Sequence, residues 1–384
     1  MVASRFAGIP PTIFAEMSGL AVRTGSLNLG QGFPDEDGPA AVLEAARQAL
    51  LDGANQYAPG LGVPALRAAV AAHQHRHYGL DPDPDREVVI TTGATEGVAA
   101  ALLGLVEPGD EVVVLEPYYD SYLAMIQVAG GVRVPVTLRW PDFRLDVDAL
   151  RAAVTPRTRL ILLNSPHNPT GAVLDADELA AVAAVAIEHD LVVVTDEVYE
   201  HLVFDAPHVP LATLPGMAER TLTLSSLGKS YSLTGWKIGW ATGPARLVEA
   251  VVAAKQWLTF TSGAPLQPAA AVALTDVAGF PRQLADSLRI RRDLLCDGLT
   301  ALGLPTRRPE GTYFALSDVR HLGWDDGLAF CRALPERAGV VAIPAQVFHD
   351  DTEAGRHLVR WAFCKRTEVL EEALGRLAGA DLAR

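Results

Sequence analysis

Cysteine is scarce: Cys296, Cys331 and Cys364 are the only three in 384 residues, far apart and without metal-ligand spacing. That argues against a disulfide framework or a cysteine-built metal site and fits a reduced, cytoplasmic setting. Long apolar runs are missing as well. The N-terminal MVASRFAGIPPTIFAEM has none, and the apolar stretches elsewhere are too short to cross a bilayer, so neither a signal peptide nor a membrane span is expected. Positive charge is in the minority, 32 Lys and Arg against 46 Asp and Glu, for a net charge of -14. No nucleic-acid surface and no polybasic membrane patch are therefore expected, although a few local cations suffice for a small anion. Internal repeats and low-complexity linkers are absent too. What is there is a globular composition, 49% hydrophobic and 20% charged, long enough for a large domain with a smaller one packed on it.

Short apolar, β-rich runs alternate with Ala/Leu/Glu helical stretches, the pattern of a mostly parallel sheet wrapped by helices. EVVITTG, DEVVVLEP, RLILLNSP, LVVVTDE, TLTLSS and IGWATGP read as strands. Between them ATEGVAAALLGLV, DADELAAVAAVAIEHD and ARLVEAVVAAKQWL read as helices. Residues 39–276 are therefore expected to form a large doubly wound α/β domain. Residues 277–384 offer a helix (ADSLRIRRDLLCDGLTALGL), a strand around GTYFALSDV, a second helix, VVAIP, HLVRWAFC and a final helix. With residues 1–38 they are expected to make a smaller, discontinuous α+β domain.

In open α/β sheets ligands bind at the carboxyl ends of strands, and here those ends are chemically unusual. ITTGATEG passes from strand through Gly93, Ala94 and Thr95 straight into a helix, which aims free N–H groups and a helix N-terminus at one spot. That suits a phosphate, although small residues also start helices for local reasons. RLILLNSPHNPTG ends in Asn164, Ser165, His167 and Asn168, a good turn that also places an amide where a ligand could meet it. Asp196 closes an apolar strand, with Glu197 beside it and Tyr199 three positions on. A carboxylate buried there needs a partner, either a structural ion pair or a ligand cation. After TLTLSS, the run SSLGKSYSLTGWKIGW sets Lys229 and Lys237 eight apart among glycines and hydroxyls. A lysine in a dry cleft loses proton affinity and becomes a Schiff-base nucleophile, while another, with Ser226, can hold a phosphate. One of the two lysines is expected to react and the other to bind.

The pattern Ser226-x-x-Lys229-x-x-Ser232-x-x-Gly235-x-Lys237-x-Gly239 resembles the cofactor-lysine signature of class I/II aminotransferases, pyridoxal-phosphate enzymes of fold type I. LNLGQGFPDEDGP, NQYAPGLGVPALR, TTGATEG, EPYYDSY, NSPHNPTG, DEVYEHLVF and HLVRWAFCKR follow in that family's order over nearly the whole chain. The resemblance is greatest to the branch of kynurenine aminotransferase, glutamine transaminase K and methionine aminotransferase, including actinobacterial proteins assigned as N-succinyldiaminopimelate aminotransferases. It implies pyridoxal 5′-phosphate as cofactor, with Lys229 as the Schiff-base lysine and proton shuttle. It further implies that Asp196 pairs with the ring nitrogen and that Tyr199 and Asn168 hold the ring 3′-oxygen. Gly93, Ala94, Thr95, Ser226 and Lys237 would take the phosphate, and Tyr119 would stack on the ring. Arg360 would fork onto the substrate α-carboxylate, with Gly32 and Asn168 beside it. Tyr57 would reach the phosphate of a neighbouring subunit, which makes a homodimer with shared sites.

The implied reaction moves an amino group between an L-amino acid and a 2-oxo acid, with no metal. A β-lyase acting on cysteine conjugates or cystathionine would use the same groups. A non-catalytic pyridoxal-phosphate sensor fused to a DNA-binding module is disfavoured, because no basic helix-turn-helix text precedes Pro39. Phe14 and Tyr119, with Phe260 from the partner subunit, would line the side-chain pocket. Thr261 stands where some relatives with a kynurenine cleft carry His, which argues against kynurenine, and no sequence feature marks a cation for a succinyl group. His73, His75 and His77 in AAHQHRHYGL, with no Cys or carboxylate to complete a metal set, are expected to be a solvated helix end. Glu197 and Glu200 are expected to make local ion pairs.

Overall fold

The computed structural model describes residue 3, residue 6 and residues 12–384. Seven strands form one sheet in the order Val88–Thr92, Ile238–Thr242, Thr221–Ser226, Val192–Asp196, Thr158–Asn164, Glu111–Glu116, Val132–Thr137. Ile238–Thr242 runs antiparallel to both neighbours, and all other pairings are parallel. Every residue of Glu111–Glu116, Val192–Asp196 and Thr221–Ser226 is buried, which is why the first two read as apolar runs and the third carries only small hydroxyls between its leucines. Six of the seven are the strands expected from the sequence. Val132–Thr137 is the addition. It carries Arg133 and Pro135, and it pairs on one side only, where an edge position tolerates a proline.

Helices Gly93–Leu105 and Ala245–Leu258 pack together on one face of the sheet, and Ala176–Glu188 begins with a capping box between Asp175 and Glu178. Past residue 300 the chain forms a four-stranded sheet in the order Ile343–Pro344, Leu358–Ala362, Phe314–Asp318, Thr306–Arg307. The arm joins this part through Leu27–Asn28, which pairs in parallel with Val340–Val341. It is held further by Lys365 Nζ donating to Phe33 O at 2.7 Å and by an Arg291–Glu36 ion pair at 2.7 Å. One apolar cluster runs from Val113, Ile161 and Val193 of the large sheet into Leu316, Val359 and Trp361 of the small one. The groove between the two sheets is therefore backed by a shared core.

Two sequence expectations need correction. His73 is not solvated: it is 1% exposed, and its ring meets His201, which the fold brings beside the helix Pro64–Tyr78. Sequence spacing missed this because His201 lies 128 positions away, in the turn after Asp196. Glu200 makes no ion pair among the described residues. Its carboxylate accepts hydrogen bonds from the hydroxyls of Ser225 and Tyr78, whereas Glu197 does pair, with His208 at 2.8 Å.

Candidate active site

The carboxyl ends of the central strands and the N-terminus of helix Gly93–Leu105 open onto a cavity of about 340 Å³, within the range of small-molecule sites. Lys229, Lys237, Asp196, Tyr199, Asn168 and Arg360 all line it. So do Phe14, Gly32, Gly93, Ala94, Thr95, Tyr119 and Ser226.

One end gathers groups that could take an anion. Thr92 precedes the helix without a side-chain cap, so the first N–H groups of Gly93–Leu105 keep no side-chain acceptor from it. Lys237 adopts a left-handed backbone (φ 53°), uncommon for a residue with a side chain, and sets Nζ 3.4 Å from Thr95 Oγ1. The strand that follows lies so close to this turn that a Cβ on Gly239 would stand 2.6 Å from Gly93 C and 2.7 Å from Ala94 N. Ser226 ends its strand beside them, its hydroxyl not engaged in capping the short helix Leu227–Ser230.

The middle holds the carboxylate. Asp196 is 7% exposed and accepts from Tyr122 Oη at 2.6 Å and from the Val198 N–H at 3.3 Å. Burial pushes its carboxyl upward, against the pull of those two donors. No cation lies within salt-bridge distance of it among the described residues, which leaves the ligand-cation alternative standing and the structural ion pair unsupported. Asn164 Nδ2 donates to the Asp196 carbonyl at 2.7 Å, and its own carbonyl takes the Asn168 N–H at 2.8 Å. Lys229 Nζ sits 5.8 Å from the centre of the Tyr199 ring and 3.5 Å from Gly32 O. Burial pulls the Lys229 amine down to about 8.

The far wall presents Arg360, 1% exposed in the strand Leu358–Ala362. Nη1 donates to Asn168 Oδ1 at 3.0 Å and Nη2 to Gly30 O at 2.9 Å, while Nε has no partner among the described residues. The guanidinium lies 3.9 Å over Phe314 and 5.1 Å from Phe14 and Phe348, and no carboxylate reaches it among the described residues. Burial lowers its proton affinity to about 10. Gly32 lets the arm close against this wall, because a Cβ there would enter the Phe314 ring at 2.4 Å. A buried guanidinium with a spare donor and no counter-ion has the chemistry to take a carboxylate.

The description "Aminotransferase class I and II" matches residues 24–377. The chain belongs to this family. It is 55% identical over 98% of both chains to the Mycobacterium tuberculosis protein named "Probable N-succinyldiaminopimelate aminotransferase DapC". It is 40% identical over 97% of both chains to the methionine aminotransferase of Escherichia coli K12. The solved structure of the Mycobacterium tuberculosis N-succinyldiaminopimelate aminotransferase superposes with a TM-score of 0.97, at 56% identity and full coverage of both chains. The fold is therefore that of fold-type I aminotransferases, and the chain is an aminotransferase.

Two residues named from the sequence of this aminotransferase stay outside its own cavity. Tyr57 is 86% exposed and Phe260 46% exposed, their rings edge-on at 5.7 Å. Three others escaped the sequence reading. Tyr122 holds Asp196 from the run EPYYDSY, where its place three residues after Tyr119 was the available signal. Tyr313 donates to Gly32 O at 2.5 Å and flanks Lys229 at 5.5 Å. Lys255 is 1% exposed and donates to Phe260 O at 2.7 Å and Gly60 O at 3.2 Å, tying the two loops that carry Phe260 and Tyr57. Composition held the signal for it: the aminotransferase has only four lysines, Lys229, Lys237, Lys255 and Lys365, so each is worth explaining.

Proposed function

We propose that the aminotransferase works with pyridoxal 5′-phosphate, as a cytoplasmic homodimer whose sites are shared, and that N-succinyldiaminopimelate is its amino donor. Residues 39–276 would be the cofactor-binding domain, and residues 1–38 with 277–384 the smaller one. The donor set fits the cofactor: an uncapped helix N-terminus beside Lys237 and Ser226 for the phosphate, and a buried carboxylate without a cation for the ring nitrogen. Gly93, Ala94 and Thr95 would complete the phosphate grip, Tyr119 would cover the ring, and Tyr199 and Asn168 would hold its 3′-oxygen. When bound, the cofactor supplies an aldehyde for amine capture and a ring that accepts the electron pair left at substrate Cα.

The chain's own groups do the rest. Arg360 orients the substrate through its α-carboxylate, using the unpartnered Nε together with Nη groups that exchange protein acceptors for the ligand. Lys229 Nζ, whose proton affinity burial has lowered to about 8, takes the Cα proton as general base near neutral pH. Asp196 favours the protonated ring nitrogen, and Tyr122 and Val198 fix the orientation of its oxygens. Phe14, Phe314 and Phe348 keep water away from the guanidinium, which strengthens its hold on an anion.

The observation that carries this reading is the convergence of Lys229, Asp196 and Arg360 on one cavity in a chain of this family. The donor assignment rests on the 55% identity to the Mycobacterium tuberculosis protein. A panel of N-succinyldiaminopimelate, methionine, glutamine, kynurenine and aromatic amino acids with 2-oxoglutarate tests both. Highest kcat/KM with N-succinyldiaminopimelate is expected. Preference for another donor removes the donor assignment, and pyruvate and ammonia formed without an acceptor would favour β-elimination instead.

Support for sharing comes from the surface. Tyr57, Phe260 and Trp257, the last 83% exposed, leave a group of large rings in water on an isolated chain. A second subunit would cover them and receive Tyr57 at its phosphate and Phe260 at its side-chain pocket. Co-expression of a Tyr57→Phe/Phe260→Ala chain with a Lys229→Ala chain should give mixed dimers more active than either parent. Equal or lower activity would end the shared-site reading.

A further inference from the structure

His73 and His77 stand one turn apart on the last turns of the helix Pro64–Tyr78, and the turn after Asp196 brings His201 against both. One nitrogen from each ring lies within 4.8 Å of the others. The ring centres form a nearly equilateral triangle, 4.7 Å from His73 to His77, 4.9 Å from His73 to His201 and 4.7 Å from His77 to His201. The planes are inclined by 48°, 87° and 64°, so the rings surround a common point rather than stack. His73 Nε2 and His201 Nε2 face each other at 2.6 Å.

We propose that His73, His77 and His201 bind one divalent first-row transition metal ion, zinc(II) foremost, with the remaining position open to water on the exposed His77 side. Tetrahedral zinc at about 2.0–2.1 Å from imidazole nitrogens sets those nitrogens roughly 3.4 Å apart, so modest side-chain rotation completes the set. Two imidazoles four residues apart on a helix, with a third ligand from a distant loop, is a recurrent way to hold such an ion. Glu200, next in sequence to His201, is 4% exposed and engaged by Ser225 and Tyr78. It is therefore a fixed negative charge beside the cation rather than a fourth ligand. Arg76, the nearest cation in sequence, is tied to Leu274 O at 2.7 Å, and its charge opposes the ion at all three imidazoles. The bound ion would pin the helix Pro64–Tyr78 to the segment Asp196–His201, whose first residue is the cavity carboxylate; it takes no part in the reaction.

The test uses the untagged, cofactor-loaded enzyme stripped of metal with a chelator and titrated with cobalt(II), then zinc(II). Visible absorption bands of four-coordinate cobalt should rise to one equivalent per chain and vanish on zinc addition, with a higher melting temperature in zinc. His77→Ala, at an exposed position, and His201→Ala should each weaken cobalt binding by more than the roughly 10–100-fold that loss of a supporting partner costs. His75→Ala should bind as the parent does, because His75 points outward to Asp81. Absence of the bands, or an unchanged titration in His77→Ala, would overturn the proposal.

Discussion

The two walls of the cavity are built differently. The inner wall, with Asp196, Ser226, Lys229 and the Gly93–Thr95 turn, comes from strand ends of one sheet, each in a short run whose chemistry is visible in the text. The outer wall, with Gly32, Phe14, Phe314 and Arg360, joins the N-terminal arm to two strands more than 280 residues later. Asp196 on the inner wall is held by the large sheet and its helices, with Asn164 on its carbonyl and Tyr122 on its carboxylate. Arg360 instead depends on Gly30 and Asn168, contributed from two other parts of the chain, and keeps one donor free among the described residues. The inner wall is thus preorganised by secondary structure, whereas the outer wall needs the arm to supply Phe14, Gly30 and Gly32.

Substitutions should separate the walls by which kinetic constant they move. Lys229→Ala is expected to have the largest effect, a loss in kcat of at least about 10³-fold, because it removes both the nucleophile and the proton carrier. Reduction with borohydride followed by peptide mapping checks it, and a label on Lys237 would exchange the roles of the two lysines. Asp196→Ala should come next, slowing proton abstraction by about 10²–10³-fold in single-turnover absorbance while cofactor still binds. Near-normal turnover would detach the inner wall from the chemistry. Tyr122→Phe, which removes only a hydrogen bond to that carboxylate, should lose about tenfold.

On the outer wall, Arg360→Ala should raise KM for the amino acid on the order of 100-fold with a smaller change in kcat. Arg360→Lys should recover only part, since an ammonium lacks the fork. An equal fall in kcat would mean that the two walls act as one unit. The pH dependence sharpens the same contrast. In cofactor-free protein the Lys229 amine is pulled down to about 8, so its capture of an aldehyde should rise with a midpoint near pH 8 rather than near the ordinary 10.5. The unfolded chain keeps that proton until about 10.5, so this group adds stability as pH rises from about 8 to 10.5. A midpoint near 10.5 would show that the inner wall leaves the amine fully solvated. Smallest should be Lys255→Met, which frees the Tyr57 and Phe260 loops yet touches neither wall. About a tenfold loss in cofactor affinity is expected by equilibrium dialysis, with the melting temperature little changed.

By itself the sequence determined the large sheet and the inner wall. Buried parallel strands favour apolar runs, and polar residues at or just past their ends stand out for that reason, as Asp196, Asn168 and Lys229 do. It left out the strand Val132–Thr137, because an edge pairs on one side and admits proline and arginine. It took the folded chain to show that Tyr122 serves Asp196, that Tyr57 and Phe260 meet edge-on, and that His201 closes a triangle with His73 and His77. Periodicity reports which face of an element is covered. It carries no information about which of many distant covered faces meet, and these contacts span 74 residues for Tyr122, 203 for Tyr57 and 128 for His201.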